Sequence, residues 1–581
     1  MSGSKTMTGY PSIDKTHLQG TAYFERHPYI PNISISNALD FMFSLKGNTP
    51  AIECLDLHIT HIELREDAVI LSKAFLQLGV KAGDIICVSM PNYYQAVVAF
   101  KAANRIGAVI TYLNPFASEE ELKKYLNMYK ARILLNYDKD LEYNRSLRAG
   151  TTLKYIITLH EDLLNIRSFQ QNKNVVGSDE GFINYHNLSS IAERWKGHVK
   201  TGFAGKQEAL ILYTSGSTGE PKSMVFTNEN ILSTLIYYKN TIHPEKATDL
   251  NRRWMCVVPF MYPYGFAMSV LVSLLGGYEA VLAPNIGPEN IAQYYKKQPY
   301  LIFGSPAFLE LTKRNLPADV DLSSLRIFIS GGDFLSPSQA ETGKSFFKQH
   351  NADVDICNGS GNGELLGCCT TALGAPIRPE TVGRLVVGPK YIILDPDTDK
   401  EVHYGEPGIL CAAGKHVFKG YYNNEELTTA SMIVCKGKKY YKTGNFGFLD
   451  EDGYFTMIGR ASRFYINNSL NKVYCELVQS VINQIDIVDA CAVVPMPNKD
   501  SLYVSKAYVV LKQGIPTSET SERYIMHKSR EPYKNPATGE MVVLKEYEAP
   551  ASISFLNELP RIKSSDKIDY RKLEEMAKSD A

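Results

Sequence analysis

The chain has 581 residues, too many for a single hydrophobic core and enough for two domains with ample apolar surface to bury. Lysine and arginine total 62 and aspartate and glutamate also total 62, so a net charge of zero gives no electrostatic reason to expect nucleic acid or an acidic membrane as partner. The polar start Met1-Ser2-Gly3-Ser4-Lys5 has no apolar segment behind it, and no run of about 18 apolar residues occurs, so neither an export signal nor a membrane span is expected.

From about residue 60 onward, strand-like and helix-like segments alternate. Residues 57–63 alternate as a strand does, which makes His58-x-x-His61 a poor metal pair. Ala68, Leu71, Phe75 and Leu78 recur at helical spacing and Gly79 closes that helix. Residues 84–90 read as a strand, Ala96, Val97, Phe100 and Ala103 as a helix ending at Gly107, and 108–111 as a strand. Ser118-Glu119-Glu120-Glu121 is a capping box opening the next helix. Further strands are expected at 133–135, 155–159, 255–258, 280–282, 301–303, 326–330 and 353–357. Alternation of this kind predicts an α/β fold of doubly wound parallel sheets with helices on both faces. After Gly383 shorter strands with turn signals predict a small antiparallel β subdomain. The last segment, 461–581, has its own strand and helix pattern and is expected to be a smaller, mobile α+β domain, so the expected domains are 1–460 and 461–581. Within it, residues 517–539 read as a long exposed insertion. The ten cysteines are scattered, with only Cys368 and Cys369 adjacent and no Cys-x-x-Cys pair, which fits reduced thiols and a cytoplasmic setting.

The most informative stretch is Tyr213-Thr214-Ser215-Gly216-Ser217-Thr218-Gly219-Glu220-Pro221-Lys222, which follows the buried-strand run Ala209-Leu210-Ile211-Leu212. Glycines let backbone approach a polyanion, hydroxyls and N–H groups donate to its oxygens, and Lys222 adds charge. It is not a Walker loop, because Pro221 stands where that pattern needs Gly. The alternative is a Ser/Thr/Gly-rich surface linker. Three more Gly/Ser loops are expected at strand ends: Gly304-Ser305-Pro306, Ser330-Gly331-Gly332-Asp333 and Asn358-Gly359-Ser360-Gly361. Ligands of such sheets sit outside the carboxyl ends of the strands, so the four loops point to one crevice.

The decapeptide 213–222 resembles the phosphate-loop signature of the adenylate-forming enzymes, which include acyl-CoA synthetases, peptide-synthetase adenylation domains and luciferases. The resemblance covers nearly the whole chain. Met90-Pro91-Asn92 and Asn104-Arg105-Ile106-Gly107-Ala108 resemble early motifs of acyl-CoA synthetases, and Pro259-Phe260-Met261-Tyr262-Pro263-Tyr264-Gly265 the segment beside the acyl pocket. Ser330-Gly331-Gly332-Asp333 is similar to the segment lying against adenine, and Tyr421 belongs to a later motif of the family. Leu559-Pro560-Arg561-Ile562-Lys563-Ser564-Ser565-Asp566-Lys567 is similar to the tail with the catalytic lysine. The resemblance implies ATP, Mg²⁺ and coenzyme A (or a carrier protein's phosphopantetheine) as cofactors, and a carboxylic acid as substrate. It implies Lys567 and Thr214 as catalytic, Glu364 as catalytic and Mg²⁺-binding, and Thr214, Ser215, Gly216, Ser217, Thr218, Gly219 and Lys222 as phosphate-binding. Gly331, Gly332, Asp333, Asn358, Gly359, Ser360, Gly361, Asn445 and Arg460 would hold the nucleoside, and Tyr262, Tyr264, Gly265, Gly304 and Ser305 the acyl group, with Ser462 as hinge. An ordinary helix-start carboxylate and an ordinary surface lysine stay open as readings of Glu364 and Lys567.

Several positions depart from the family's pattern. Tyr262 stands where His is usual, Ser360 where an aromatic stacks near adenine, and Gly363 where a hydroxyl meets phosphate. Asn445 replaces the Asp that accepts from both ribose hydroxyls, Asp566 replaces the Gly before the lysine, and Ser462 an Asp or Lys. Residues 466–470 lack the Gly of the thioester-forming loop. The function expected is activation of a carboxylic acid to an acyl-adenylate and transfer to a thiol, as an acyl-CoA synthetase. Two alternatives remain: a stand-alone adenylation enzyme loading a separate acyl-carrier protein, and a catalytically impaired relative that binds nucleotide or an acyl ligand.

Overall fold

The computed structural model describes residues 7–18, 27–165, 181–214, 222–241, 253–333, 335, 337–371, 376–378, 380–460, 464–466, 472–497, 503–534, 541–561 and 568–580. Two large sheets dominate the part before residue 384. The first has seven strands in the order Asp355–Asn358, Ile327–Ser330, Leu301–Gly304, Arg253–Cys256, Glu279–Leu282, Pro50–Cys54 and Leu57–Thr60. All its pairings are parallel except the last. The strands Leu301–Gly304 and Ile327–Ser330 are buried along their whole length, which is why they read as apolar runs without alternation.

The second sheet has eight strands, ordered Gly420–Tyr421, Lys222–Thr227, Glu208–Thr214, Val109–Tyr112, Ile85–Ser89, Ile133–Tyr137, Tyr155–Leu159 and Phe182–Asn184. It is parallel from Glu208–Thr214 outward, but Lys222–Thr227 runs antiparallel to Glu208–Thr214, and Gly420–Tyr421 antiparallel to Lys222–Thr227. The expected doubly wound α/β architecture is thus present with an antiparallel edge, and the expected phosphate loop falls between the two arms of a hairpin, Glu208–Thr214 and Lys222–Thr227. The helix Tyr94–Arg105 is buried from Tyr94 through Asn104, as an element covered on all sides must be.

Local capping explains one departure from the sequence reading. Thr60 accepts from the Glu63 N–H while the Glu63 carboxylate takes the Thr60 N–H, so a helix, His61–Gln77, begins where strand alternation was expected to continue. It ends as expected, with Gly79 at φ +83° beyond the C-cap Leu78. His61 is buried with Nδ1 against the Thr49 carbonyl, and His58 pairs across strands with Glu53, so the two histidines are not a metal pair.

Residues 390–460 form the expected antiparallel subdomain: Lys390–Leu394, Gly408–Ala413, Lys438–Leu449 and Met432–Cys435 in order, with Phe455–Arg460 also paired to Lys438–Leu449. The N-terminal segment straps onto it, with Ser12 bonded to Glu401 and the Tyr404 N–H to the Gly9 carbonyl. The C-terminal unit has its own cores around a sheet of Val488–Pro497, Tyr503–Leu511 and Ser552–Phe555, packed by helices including Cys475–Ile482 and Tyr570–Ser579. Inside it, the described part of the expected exposed insertion, residues 517–534, contains regular structure. Ser518 caps a helix, Glu519–Lys528, which buries Ser521 and Ile525; its apolar stripe is only one or two residues wide, too thin to read.

Candidate active site

Three of the four expected loops leave the carboxyl ends of adjacent parallel strands in the seven-stranded sheet. The ladder continues into them, with the Gly331 N–H on the Gly304 carbonyl and the Gly359 N–H on the Ser330 carbonyl. Asn358, buried at the end of its strand, bonds both the N–H and the carbonyl of Leu335, so it fixes the chain just beyond Gly332 and Asp333. Gly332 has φ +88°, a left-handed backbone that suits only glycine comfortably. At Gly361 a Cβ would lie 2.0 Å from the Gly367 carbonyl oxygen, so the turn leading to Glu364 closes only without a side chain there. Ser305 caps the helix Pro306–Asn315 by accepting from the Phe308 N–H.

The fourth loop belongs to the other sheet, and the structure ties its far end to the same place. Thr214 and Lys222 are register partners at the mouth of the hairpin. Lys222 Nζ stands 5.9 Å from the centroid of the Tyr421 ring, on the edge strand paired to Lys222–Thr227. The Tyr421 hydroxyl donates to Glu364 Oε1 at 2.6 Å. Tyr421 and Glu364 are both buried, and burial together with the Glu364 charge holds the Tyr421 phenol far above its ordinary pKa, so it stays a neutral donor. Tyr441 is buried too, and burial first and the Glu364 charge second push its phenol up. The Phe418 N–H bonds the Glu364 carbonyl, fixing its backbone as well. Nothing local in the sequence marks Tyr441 as a neighbour of a carboxylate 77 positions earlier.

Asn445 and Arg460 are cross-strand partners in the subdomain sheet. The Arg460 Nη1 donates to the Thr443 carbonyl at 3.1 Å, and Asn362 Nδ2 donates to that same oxygen at 2.6 Å. Asn445 Nδ2 in turn donates to Asn362 Oδ1 at 3.2 Å. The sequence reading gave Asn362 no role. Ser360 is half-buried, with its N–H on Thr370 Oγ1 and its hydroxyl 3.9 Å from Met457 Sδ.

The expected acyl wall is aromatic. Tyr264 opens a π-helical stretch, Tyr264–Leu271, and its hydroxyl donates to the Ile329 carbonyl at 2.9 Å. A Cβ on Gly331 would meet the Tyr264 ring at 2.9 Å, and Phe303 stands edge-on to that ring at 6.0 Å. Gly265 is forced, since a Cβ there would lie 2.1 Å from the Pro259 carbonyl oxygen. Tyr262 is half-buried at the start of the same turn, its carbonyl taking the Gly265 N–H. A Cβ on Gly304 would strike the Phe328 ring at 2.7 Å.

Residues 44–422 match the AMP-binding enzyme family, and residues 477–566 match the AMP-binding enzyme C-terminal domain. The chain belongs to the AMP-binding enzymes. Their adenylate-forming chemistry is the resemblance read from the motifs, and an AMP-forming acid–thiol ligase is the class that follows. A probable CoA ligase of Humulus lupulus is 27% identical over 485 residues, covering 82% of this chain and 83% of that one. A long-chain-fatty-acid–CoA ligase of Bacillus subtilis is 25% identical over 561 residues, 94% of this chain and 95% of the other. The crystal structure of an anthranilate CoA ligase in complex with anthranoyl-AMP shares the fold with a TM-score of 0.77 and 21% identity, over 94% of this chain and 98% of that one.

Within this AMP-binding enzyme, Ser215, Gly216, Ser217, Thr218 and Gly219, the expected hinge Ser462 and Lys567 lie outside the described residues, as do all but Ile466 of residues 466–470. Among the described residues one group has metal-ligand spacing, Glu53, His58 and Glu279. Arg253 and Lys297 already bring two positive charges to its two carboxylates, so the cluster is balanced without an ion. No disulfide joins any of the ten cysteines, and no described helix is long and apolar enough to cross a membrane.

Proposed function

We propose that this AMP-binding enzyme is an acyl-CoA synthetase that joins a carboxylic acid to ATP, expels pyrophosphate, and passes the acyl group from the adenylate to coenzyme A. The observation that carries the reading is the Lys222–Tyr421–Glu364 contact chain. It sets a cation at the exit of the phosphate-loop hairpin beside a buried, hydrogen-bonded carboxylate. Bringing an acid carboxylate to a triphosphate costs charge repulsion, so the site's work is neutralisation and in-line positioning.

Thr214, Ser215, Gly216, Ser217, Thr218, Gly219 and Lys222 grip the phosphates in this reading. Glu364 fits Mg²⁺: the Tyr421 hydroxyl leaves lone pairs on the carboxylate, and one carboxylate completed by phosphate oxygens and water is a donor set that ion accepts. Mg²⁺ supplies charge neutralisation on the phosphates. Gly331, Gly332 and Asp333 lie along adenine, Asn445 and Arg460 meet the ribose, and Lys567 meets the carboxylate and α-phosphate as a point charge. Residues 461–581 move as a unit about Ser462 between adenylation and thiol transfer. The aromatic wall of Tyr264 and Phe303 favours a flat, apolar acyl group, and the setting is the cytoplasm.

Incubating the protein with ATP, Mg²⁺, coenzyme A and a panel of aryl and fatty acids tests this directly. Acid-dependent AMP and an acyl-CoA detected by mass spectrometry are the expected products. AMP release with acyl transfer only to a carrier protein would favour the carrier-loading alternative, and nucleotide binding without any AMP the impaired one.

A further inference from the structure

Asn445 is almost fully buried at 1% exposure, and its Oδ1 has no hydrogen-bond partner among the described residues. A buried, unsatisfied acceptor costs stability, so one retained beside an expected ribose site asks for an explanation. The neighbouring bonds supply it. A backbone carbonyl only accepts, so the Thr443 oxygen compels Asn362 to present Nδ2. Asn362 Oδ1 then faces Asn445, which compels Asn445 to answer with its own Nδ2. Asn445 Oδ1 is the atom left over. The amide orientations are thus set by a chain of obligations that starts at a carbonyl. Arg460 holds the same carbonyl oxygen through its second lone pair, and the Asn445 N–H is tied to Thr443 Oγ1 at 3.0 Å.

We infer that Asn362 is a positioning residue for nucleotide binding: it locks the Asn445 carboxamide so that Oδ1 is presented as acceptor to a ribose hydroxyl. This rests on the reading that Asn445 meets the ribose. The inference alters the meaning of the Asn found where the family has Asp. Asn362 and Asn445 act as a matched pair. A carboxylate at 445 would set two oxygens against Asn362 Oδ1, and Asn362 could turn to donate only by facing its own oxygen to the Thr443 carbonyl. Restoring the family's Asp on its own therefore weakens ribose recognition, and restores it once Asn362 is truncated.

Calorimetric titration of the full chain with ATP, 2′-deoxyATP and 3′-deoxyATP tests this. The unaltered protein should prefer ATP over one of the deoxy analogues by about tenfold in Kd, the ratio that one hydrogen bond gives. In Asn362→Ala that preference falls to within about twofold, in Asn445→Asp it falls likewise, and in the double variant it returns to about tenfold. Because the readout is a ratio of affinities, loss of folded material lowers the stoichiometry and leaves the ratio intact. Undiminished preference in Asn362→Ala, a gain in Asn445→Asp alone, or no preference in the unaltered protein overturns the positioning role while leaving the proposed function standing. Failure of the unaltered protein to bind ATP at all overturns that function, and this inference with it.

Discussion

Replacing Tyr421 by Phe removes one oxygen and keeps the ring, so it isolates the bond at the centre of the site. The hydroxyl donates to Glu364 Oε1 at 2.6 Å, and both residues are 8% exposed. A neutral donor on an ionised, buried acceptor is worth about 1.5–3 kcal/mol, against about 1 kcal/mol for a neutral pair. Tyr421→Phe should therefore lower stability by about 1.5–3 kcal/mol in the native background. In Glu364→Gln, where the hydroxyl meets an uncharged amide oxygen, it should cost only about 1 kcal/mol. Urea unfolding of the four proteins gives the difference, an expected coupling of about 0.5–2 kcal/mol. Glu364→Gln should also stay folded while acid-dependent ATP turnover falls about a hundredfold, because an amide neither neutralises charge nor competes for Mg²⁺. A coupling below about 0.5 kcal/mol would mean the two groups do not share a bond in solution, and the node would reduce to packing.

Three other outcomes are expected. Gly265→Ala would drive a Cβ to within 2.1 Å of the Pro259 carbonyl and 2.5 Å of the Val258 carbonyl; backbone cannot yield there, so calorimetry should show melting lowered by the equivalent of about 3 kcal/mol or more. Burial depresses the imidazoles of His17 and His416 to about 3, with Arg384 adding to the effect at His17. Each is neutral in the fold while the unfolded chain protonates near 6.5. Their contribution is thus complete above that pH and lost at up to about 1.4 kcal/mol per pH unit per histidine as pH falls toward 3. Melting followed from neutral pH to pH 5 should fall less steeply in His416→Leu than in the parent, and equal slopes would contradict the assignment. Lys567→Ala should reduce adenylate formation by about 10²–10³ without shifting the melting temperature, and unchanged turnover would remove Lys567 from the chemistry.

Much of this site could be read from the sequence because it is made of short segments with fixed punctuation. The loops after Gly304, Ser330 and Asn358 follow apolar runs that can only be buried strands, and the runs of turn signals after Gly383 do mark an antiparallel subdomain. What escaped reading depends on distance or direction. A strand covered on both faces looks the same whether its neighbour runs parallel or antiparallel, so nothing in Ala209-Leu210-Ile211-Leu212 announced the hairpin with Lys222–Thr227. The helix Glu519–Lys528 hides because its buried stripe is little more than Ile525. Tyr421 and Glu364 are 57 residues apart, and Asn362 and Asn445 are 83 apart; only the fold makes them neighbours. The last pair also changes how a departure is weighed. Read alone, Asn445 is a lost charge, whereas beside Asn362 it is half of a different hydrogen-bonding arrangement.

The central claim is that the phosphate hairpin, Glu364 and the C-terminal lysine together drive a carboxylic acid onto the α-phosphate of ATP. ATP–pyrophosphate exchange, measured over a broad acid panel with Mg²⁺, reports that single step without requiring the thiol acceptor. The account predicts exchange that depends on at least one carboxylic acid and is abolished by removing Mg²⁺. Exchange that is absent with every acid, in a protein that calorimetry shows to bind ATP, would contradict it.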